Sequence, residues 1–182
     1  MSLVDFYTVM QDQPTASTHS RVLSMTCYKS RRGVRHEYLI LQVRSPQLTS
    51  RWIRLERAAQ ADMIKATGLR SRLTSSSSAF VPDDTAIIAA SPDLSFEDAK
   101  VMEHIVFSSV QQPSLWTLSK LLEAFCKESV VYTLPVENCW FFCSVMIENL
   151  AKHSGSKIKA RNRALGRDAR KRIADSFQKL LV

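Results

Sequence analysis

The sequence predicts an α+β fold, in which a small antiparallel sheet packs against helices. Strand-like segments come first along the chain and amphipathic helical segments come later, an order typical of this class. The chain has 182 residues, of which 45% are hydrophobic, and this is enough for one domain with its own core. We expect a loose lead-in over residues 1–19, a single domain over residues 20–153 and a basic helical tail over residues 154–182.

The strand-like segments predict an antiparallel meander. Three consecutive segments are β-branched or alternate between apolar and polar residues, with polar stretches between them: "RVLSMTCYKS", "VRHEYLILQV" and "RWIRLERAA". In the second segment, the alternation places His36 and Tyr38 on one face of the strand and Glu37 and Leu39 on the other. Shorter strands are expected at "TAIIAAS" and "VVYTL".

Three later segments predict helices. The first is "SPDLSFEDAKVMEHIVFSS", in which Ser95 is a candidate N-cap and Asp98 lies three residues further on. The second is "SLWTLSKLLEAFCKES", which carries an apolar stripe at helical spacing. The third is "CWFFCSVMIENLAKHS", which follows Asn138, a competent N-cap residue.

Composition argues against several classes of protein. No apolar run approaches the roughly 20 residues that span a bilayer, and the start of the chain lacks the pattern of a signal peptide. We therefore expect a cytoplasmic protein without a membrane span. The four cysteines show no zinc-ligand spacing, which predicts reduced thiols and no metal site, and we expect no other cofactor.

Cys139 is the candidate nucleophile because it begins the third predicted helix. The unpaired N–H groups and the dipole of a helix N-terminus lower the pKa of a thiol there, and the same N–H groups can stabilise an oxyanion beside Asn138. A cysteine nucleophile needs a base, and His36 lies on a predicted strand, a rigid place from which to direct an imidazole. The alternatives are a buried, inert thiol and a strand-edge histidine.

A third residue that orients His36 is less well defined by the sequence. Glu56 and Arg54 share one face of the third predicted strand, and the carboxylate of Glu56 is suited to orient an imidazole. A surface charge pair among Arg54, Glu56 and Arg57 is the alternative interpretation.

These residues resemble a known superfamily, the circularly permuted papain-like proteins that include the lecithin:retinol acyltransferase type. The "NCWFF" sequence around Cys139 and the "HEYLI" sequence that begins at His36 are similar to its cysteine helix and its histidine strand, and the order of the two is the same. The similarity covers about residues 20–152 and implies a permuted papain-like core. A second histidine often present on the following strand is missing, and Arg54 stands near its place, so the third member stays open between Glu56, Arg54 and none.

The resemblance implies a cysteine-dependent hydrolase or acyl or amide transferase that attacks an amide, ester or thioester carbonyl. Its substrate is a small molecule, a peptide or a protein. The superfamily's acyltransferase branch commonly carries a membrane tail, whereas this chain ends in a basic segment, so a lipid substrate is not implied. A non-catalytic relative that keeps the fold as an interaction unit is an alternative.

The basic tail motivates a binding module as a further alternative. Residues 154–182 hold nine Lys or Arg and two Asp, a net charge of +7 within the overall +8. Such a segment is expected to contact a polyanion or a protein partner through residues 155–182. The candidate polyanion contacts are Lys157, Lys159, Arg161, Arg163, Arg170 and Arg172. Apolar residues between them can instead dock on the domain, leaving a solvated charged face.

Overall fold

The structure is a computed structural model, and it describes residues 1–31, 36–59, 79–80, 82–94, 98–130, 132–133, 138–158 and 166–182. Within these residues it is an α+β fold, as the sequence predicts.

A five-stranded antiparallel sheet forms one layer of the fold. The strands of this sheet are β1 Arg21–Lys29, β2 Glu37–Arg44, β3 Ser50–Ala59, β5 Pro82–Ala89 and β6 Lys100–Val106, and a separate two-stranded ladder joins β4 Ala79–Phe80 to β7 Tyr132–Thr133. The five strands follow the spatial order β5-β3-β2-β1-β6, and the sheet is open. The predicted meander is confirmed, since β1, β2 and β3 pair in sequence order.

Helices form the second layer. Their bounds are α1 Leu3–Asp12, α2 Pro14–His19, α3 Leu115–Glu128, α4 Cys139–His153 and α5 Arg167–Leu180. The sequence predictions of α3 and α4 are confirmed. Ser114 caps α3, because its hydroxyl accepts a hydrogen bond from the N–H of Thr117 at 3.0 Å.

The helix predicted for the segment that contains β6 is wrong. Residues 100–106 form a strand that pairs with β1, and Ile105 lies opposite Met25 in the register. The pattern that suggested a helix is local, whereas pairing along an edge of β1 is a tertiary interaction that overrides it. The proposed N-cap, Ser95, lies outside the described residues.

The prediction of a loose lead-in is also wrong. Residues 3–12 and 14–19 form α1 and α2, and both helices pack against α3. Leu3 and Phe6 are fully buried, since their i, i+3 spacing places both on the face of α1 that meets the core. Ser2 caps α1 by accepting a hydrogen bond from the N–H of Asp5 at 3.0 Å.

The core lies between the sheet and the helices, and α4 is central to it. This helix contacts β2 and β3, and it buries Phe141, Phe142 and Val145 completely. Its first residue, Cys139, lies beside the backbone of Glu37, the first residue of β2. In the part of the chain that is described, no helix has both the length and the apolar character to cross a membrane.

Candidate active site

Cys139 is the first residue of α4, and the preceding residue fixes where the helix begins. Asn138 has an extended backbone, and its side-chain Oδ1 accepts a hydrogen bond from the N–H of Phe141 at 3.0 Å. The first intrahelical bond joins the N–H of Phe142 to the carbonyl of Asn138 at 2.9 Å. The N–H groups of Cys139 and Trp140 precede that bond, so they belong to the set that an α-helix does not satisfy internally.

His36 lies immediately before β2 and contacts two other predicted site residues. Its Nε2 lies 3.0 Å from Oε2 of Glu56 on β3, the strand paired with β2. The Cys139 side chain lies close enough to the imidazole to act on its pKa as a hydrogen-bond partner. The structure thus brings Cys139, His36 and Glu56 into one connected group.

Glu56 is held by more than His36. Its Oε2 also accepts a hydrogen bond from Nη2 of Arg54 at 2.8 Å, and its Oε1 accepts one from the Thr85 hydroxyl at 3.2 Å. Thr85 lies on β5 directly opposite Glu56 in the sheet register. Both carboxylate oxygens therefore have partners on neighbouring positions of the sheet.

The arrangement favours a charged pair between the thiol and the imidazole. Burial alone lowers the pKa of His36, but hydrogen bonds with Cys139 and Glu56 outweigh burial and raise this pKa to about 9. Burial acts to raise the pKa of Cys139, whereas the hydrogen bonds from His36 and the Glu37 backbone lower it below its ordinary value. Both shifts favour a thiolate beside an imidazolium over a neutral pair.

The Glu56 carboxylate is ionised at neutral pH. Burial acts against its charge, but the hydrogen bonds from His36 and Arg54 lower the pKa of Glu56 to about 2. An anion on the far side of the imidazole stabilises the protonated ring. Glu56 therefore supports the charged state of His36 as well as its orientation.

The other cysteines have a different environment. Cys143 lies one turn further along α4 and is fully buried, and burial together with Cys27 raises its pKa well above the ordinary value. Cys126 on α3 is partly exposed, as Cys139 is, but burial raises its pKa to about 12. A neutral, inert thiol is expected at both positions.

A ring stack beside the site was not predicted from the sequence. The Tyr38 ring stacks on the Tyr28 ring at 5.6 Å between centroids, and the Arg54 guanidinium lies 4.2 Å from the Tyr38 centroid. His36 lies on the same face, 6.2 Å from Tyr38 between ring centroids. The period-2 alternation of β2 placed His36 and Tyr38 together, but only the register with β1 and β3 brings in Tyr28 and Arg54.

The candidate polyanion contacts do not form one exposed surface among the described residues. Arg170 is buried, and its guanidinium donates to Oε2 of Glu148 at 2.9 Å and to the Ser144 hydroxyl at 2.7 Å. This corrects its interpretation as a surface contact. Lys157 is exposed, and Arg172 is half-exposed and lies 3.5 Å from Glu128. Three candidates lie outside the described residues: Lys159, Arg161 and Arg163.

Among the described residues, no group of three or more His, Cys, Asp or Glu side chains is arranged to hold a metal ion.

No protein-family model, curated protein or solved structure matches the chain. The likeness to the permuted papain-like superfamily therefore stays a prediction from short sequence motifs, and the function has to be argued from the site.

Proposed function

We propose that this protein is a cysteine-dependent hydrolase or acyl or amide transferase in which Cys139 is the nucleophile. The observation that carries the proposal is the position of His36, whose imidazole interacts with both the Cys139 side chain and the Glu56 carboxylate. A nucleophile, a base and a group that orients the base are the three components that thiol catalysis needs. A purely structural thiol needs none of them.

The chemistry follows from the charged pair. The Cys139 thiolate attacks a carbonyl carbon, and the carbonyl electrons move onto oxygen to give a tetrahedral oxyanion. As that intermediate collapses, the imidazolium of His36 donates its proton to the leaving amine, alcohol or thiol, and a thioester remains on Cys139. Water or another acceptor then attacks the thioester, with neutral His36 taking its proton, and the thiolate is released.

The start of α4 supplies the groups that stabilise the oxyanion. The N–H groups of Cys139 and Trp140 precede the first intrahelical hydrogen bond, and the positive end of the helix dipole lies at the same place. Asn138 contributes by fixing where the helix begins. Its side chain is occupied by the N–H of Phe141 and serves as a cap.

The first test compares two thiols of the same molecule. The pKa of Cys139 lies below its ordinary value of 9.0 and that of Cys126 is about 12, so at pH 7 the thiolate fraction of Cys139 is larger by at least about a thousandfold. A thiolate of lower pKa is also less nucleophilic, which offsets about half of this advantage on a logarithmic scale. Cys139 is therefore expected to react with iodoacetamide at pH 7 roughly 30-fold faster than Cys126, whose pKa is about 12. Peptide mapping by mass spectrometry measures both rates. Equal rates would contradict the proposed thiolate.

The second part of the test measures acyl transfer. With p-nitrophenyl acetate as the probe, the protein is expected to release a burst of p-nitrophenol and to carry one acetyl group on Cys139. The burst should disappear in C139A and persist in C126A, the matched control. H36N should acylate more slowly, by about 100-fold or more, since general acid–base catalysis contributes that much. Hydrolysis by C139A at the wild-type rate would exclude Cys139 as the nucleophile.

The alternative of a polyanion-binding module has less support. The guanidinium of Arg170, one of the candidate polyanion contacts, is buried and donates to Glu148. The apolar face of α5 packs against α3. Exposed cations such as Lys157 and Lys171 are left for it, and Lys171 already pairs with Asp175 at 2.6 Å.

A further inference from the structure

We propose that Arg54 is a positioning residue for the proposed reaction, because it fixes the carboxylate that in turn holds His36 against Cys139. This inference rests on the proposed function but has its own readout. Arg54 and His36 donate to the same oxygen of Glu56, Oε2, at 2.8 and 3.0 Å. A shift of that oxygen to suit one donor would therefore disturb the other.

Arg54 is itself held in place at three points. Its Nη1 donates to the carbonyl of Leu94 at 3.1 Å, its Nη2 donates to Glu56, and its guanidinium lies over the Tyr38 ring at 4.2 Å. Only 7% of the residue is exposed. A guanidinium with two acceptors and a ring face has one orientation, so it is a rigid support for the carboxylate.

The carboxylate needs such a support. A glutamate side chain has three rotatable bonds, and a single contact with His36 would leave its carboxylate free to turn. Arg54 fixes Oε2, and Thr85 fixes Oε1 at 3.2 Å, so the plane of the group is defined by residues from both β3 and β5. His36 then meets an acceptor whose direction is set by the sheet.

A lysine cannot reproduce this arrangement. Its ammonium is a single point of charge, whereas Arg54 directs two separate nitrogens at the Leu94 carbonyl and at Glu56. An exposed ion pair would tolerate the exchange, because such pairs contribute little and adapt easily. Exchange of Arg54 for Lys therefore separates a positioning role from a simple ion pair.

The experiment measures the pH dependence of Cys139 alkylation by iodoacetamide between pH 5 and 9 in R54M, R54K and wild type. Without Arg54, the Glu56 carboxylate is no longer held in place beside His36, so the protonated form of His36 is less stable. The pKa of the Cys139 thiol should then rise, because the imidazolium that stabilises its thiolate is less populated. We expect the acid limb of the R54M profile to move up by about one pH unit, which is about a tenfold slower reaction on that limb. R54K should fall between R54M and wild type. R51M is the matched control, since Arg51 is an exposed arginine on the same strand, and it should leave the profile unchanged.

A double variant tests whether Arg54 acts through Glu56. If it does, R54M/E56Q should show no larger shift than E56Q alone, because the two single effects share one pathway. Additive shifts would overturn the proposal, and so would an unchanged profile in folded R54M. If R54M does not fold, R54K carries the test, and a wild-type profile in R54K would overturn the positioning role.

The outcomes also separate this inference from the proposed function. A profile that shifts in R54M, in a protein that forms no acetyl-Cys139, would support the positioning role and reject the hydrolase or transferase. Acylation that requires Cys139 and His36 but is unaffected in R54M would support the proposed function and reject the positioning role.

Discussion

At the scale of single residues, the candidate site depends on how one imidazole is shared between the Glu56 carboxylate and the Cys139 side chain. The Nε2 of His36 contacts the Glu56 carboxylate, and the imidazole also interacts with the Cys139 side chain. Each neighbour stabilises the protonated ring, and together they overcome the opposing effect of burial. The charges of Cys139 and His36, the proposed nucleophile and base, are therefore coupled, and a change in one changes the other.

This coupling predicts the titration of His36 in a variant that lacks the thiolate. In C139S, the pKa of His36 should fall from about 9, because one of its two stabilising anions is gone while its burial remains. The pKa should fall in E56Q for the same reason. Imidazole NMR across pH 5 to 10 measures both, with the exposed His19 as an internal reference. A pKa of His36 that is unchanged in C139S would mean that no thiolate lies beside the ring.

For the proposed reaction, the pKa values of Cys139 and His36 set the pH range of activity. Below the pKa of Cys139 the nucleophile is protonated, and above about pH 9 His36 loses the proton that it must give to the leaving group. Activity is expected to follow a bell-shaped profile between these limits.

Part of this site was predictable from local sequence, and part was not. A helix start at Cys139 follows from Asn138 and the apolar run behind it, and a strand that carries His36 follows from alternation. The contact between them joins positions about a hundred residues apart, which no local pattern encodes. The order of β1, β2 and β3 made Glu56 a plausible neighbour of His36, but the choice between Glu56 and Arg54 required the register, in which Glu56 lies opposite Tyr38.

At the scale of secondary-structure elements, the start of α4 links stability to the site. The Asn138 side chain accepts from the N–H of Phe141, and Cys139 is the next residue after the cap. The cap that begins the helix also fixes the direction of the N–H groups at the sulfur.

Replacement of the cap should therefore destabilise the protein. N138A is expected to lower the free energy of unfolding by about 1 kcal/mol, whereas N138S, which keeps a capping oxygen, should change it by only a few tenths. Urea denaturation followed by circular dichroism measures both. If N138A and N138S were equally stable, the Asn138 side chain would not be the cap that the structure describes.

The two incorrect element predictions have different causes. Strand β6 occupies an edge of the sheet, and its sequence mixes charged and apolar residues in a way that fits a helix as well as an exposed strand. Pairing with β1 decides between the two. At the other end of the chain, "TASTHS" suggested loose structure, although Leu3 and Phe6 already had the spacing of a helix that buries one face.

At the scale of the whole molecule, the basic C-terminal segment is part of the domain's packing. The described part of it forms α5, which contacts α3 and buries Ala169, Ile173 and Phe177. Arg170 extends this contact to α4, where its guanidinium lies 5.0 Å from the Phe141 ring centroid and pairs with Glu148. Net charge indicated a separate tail, but the apolar spacing within α5 is what determines its position.

This packing makes a prediction that a separate, solvated tail would not make. Phe177 is completely buried and its ring lies 6.1 Å from that of His153 on α4. F177A removes a large buried side chain and is expected to lower the free energy of unfolding by about 3 kcal/mol or more. K179A, an exposed position on the same helix, should change it by less than about 0.5 kcal/mol.

The measurement is chemical denaturation monitored by Trp fluorescence. The denaturation midpoints of F177A, K179A and wild type can be compared directly when the three proteins have the same dependence of unfolding free energy on denaturant concentration. Trp140 on α4 is a suitable fluorescent probe of the packing of α5, because the guanidinium of Arg170 on α5 lies 5.7 Å from its ring centroid. A single transition that moves as a whole in F177A would show that α5 unfolds together with the domain. If F177A and K179A were equally stable, α5 would not contribute to the stability of the domain, and residues 154–182 would be better described as an independent tail.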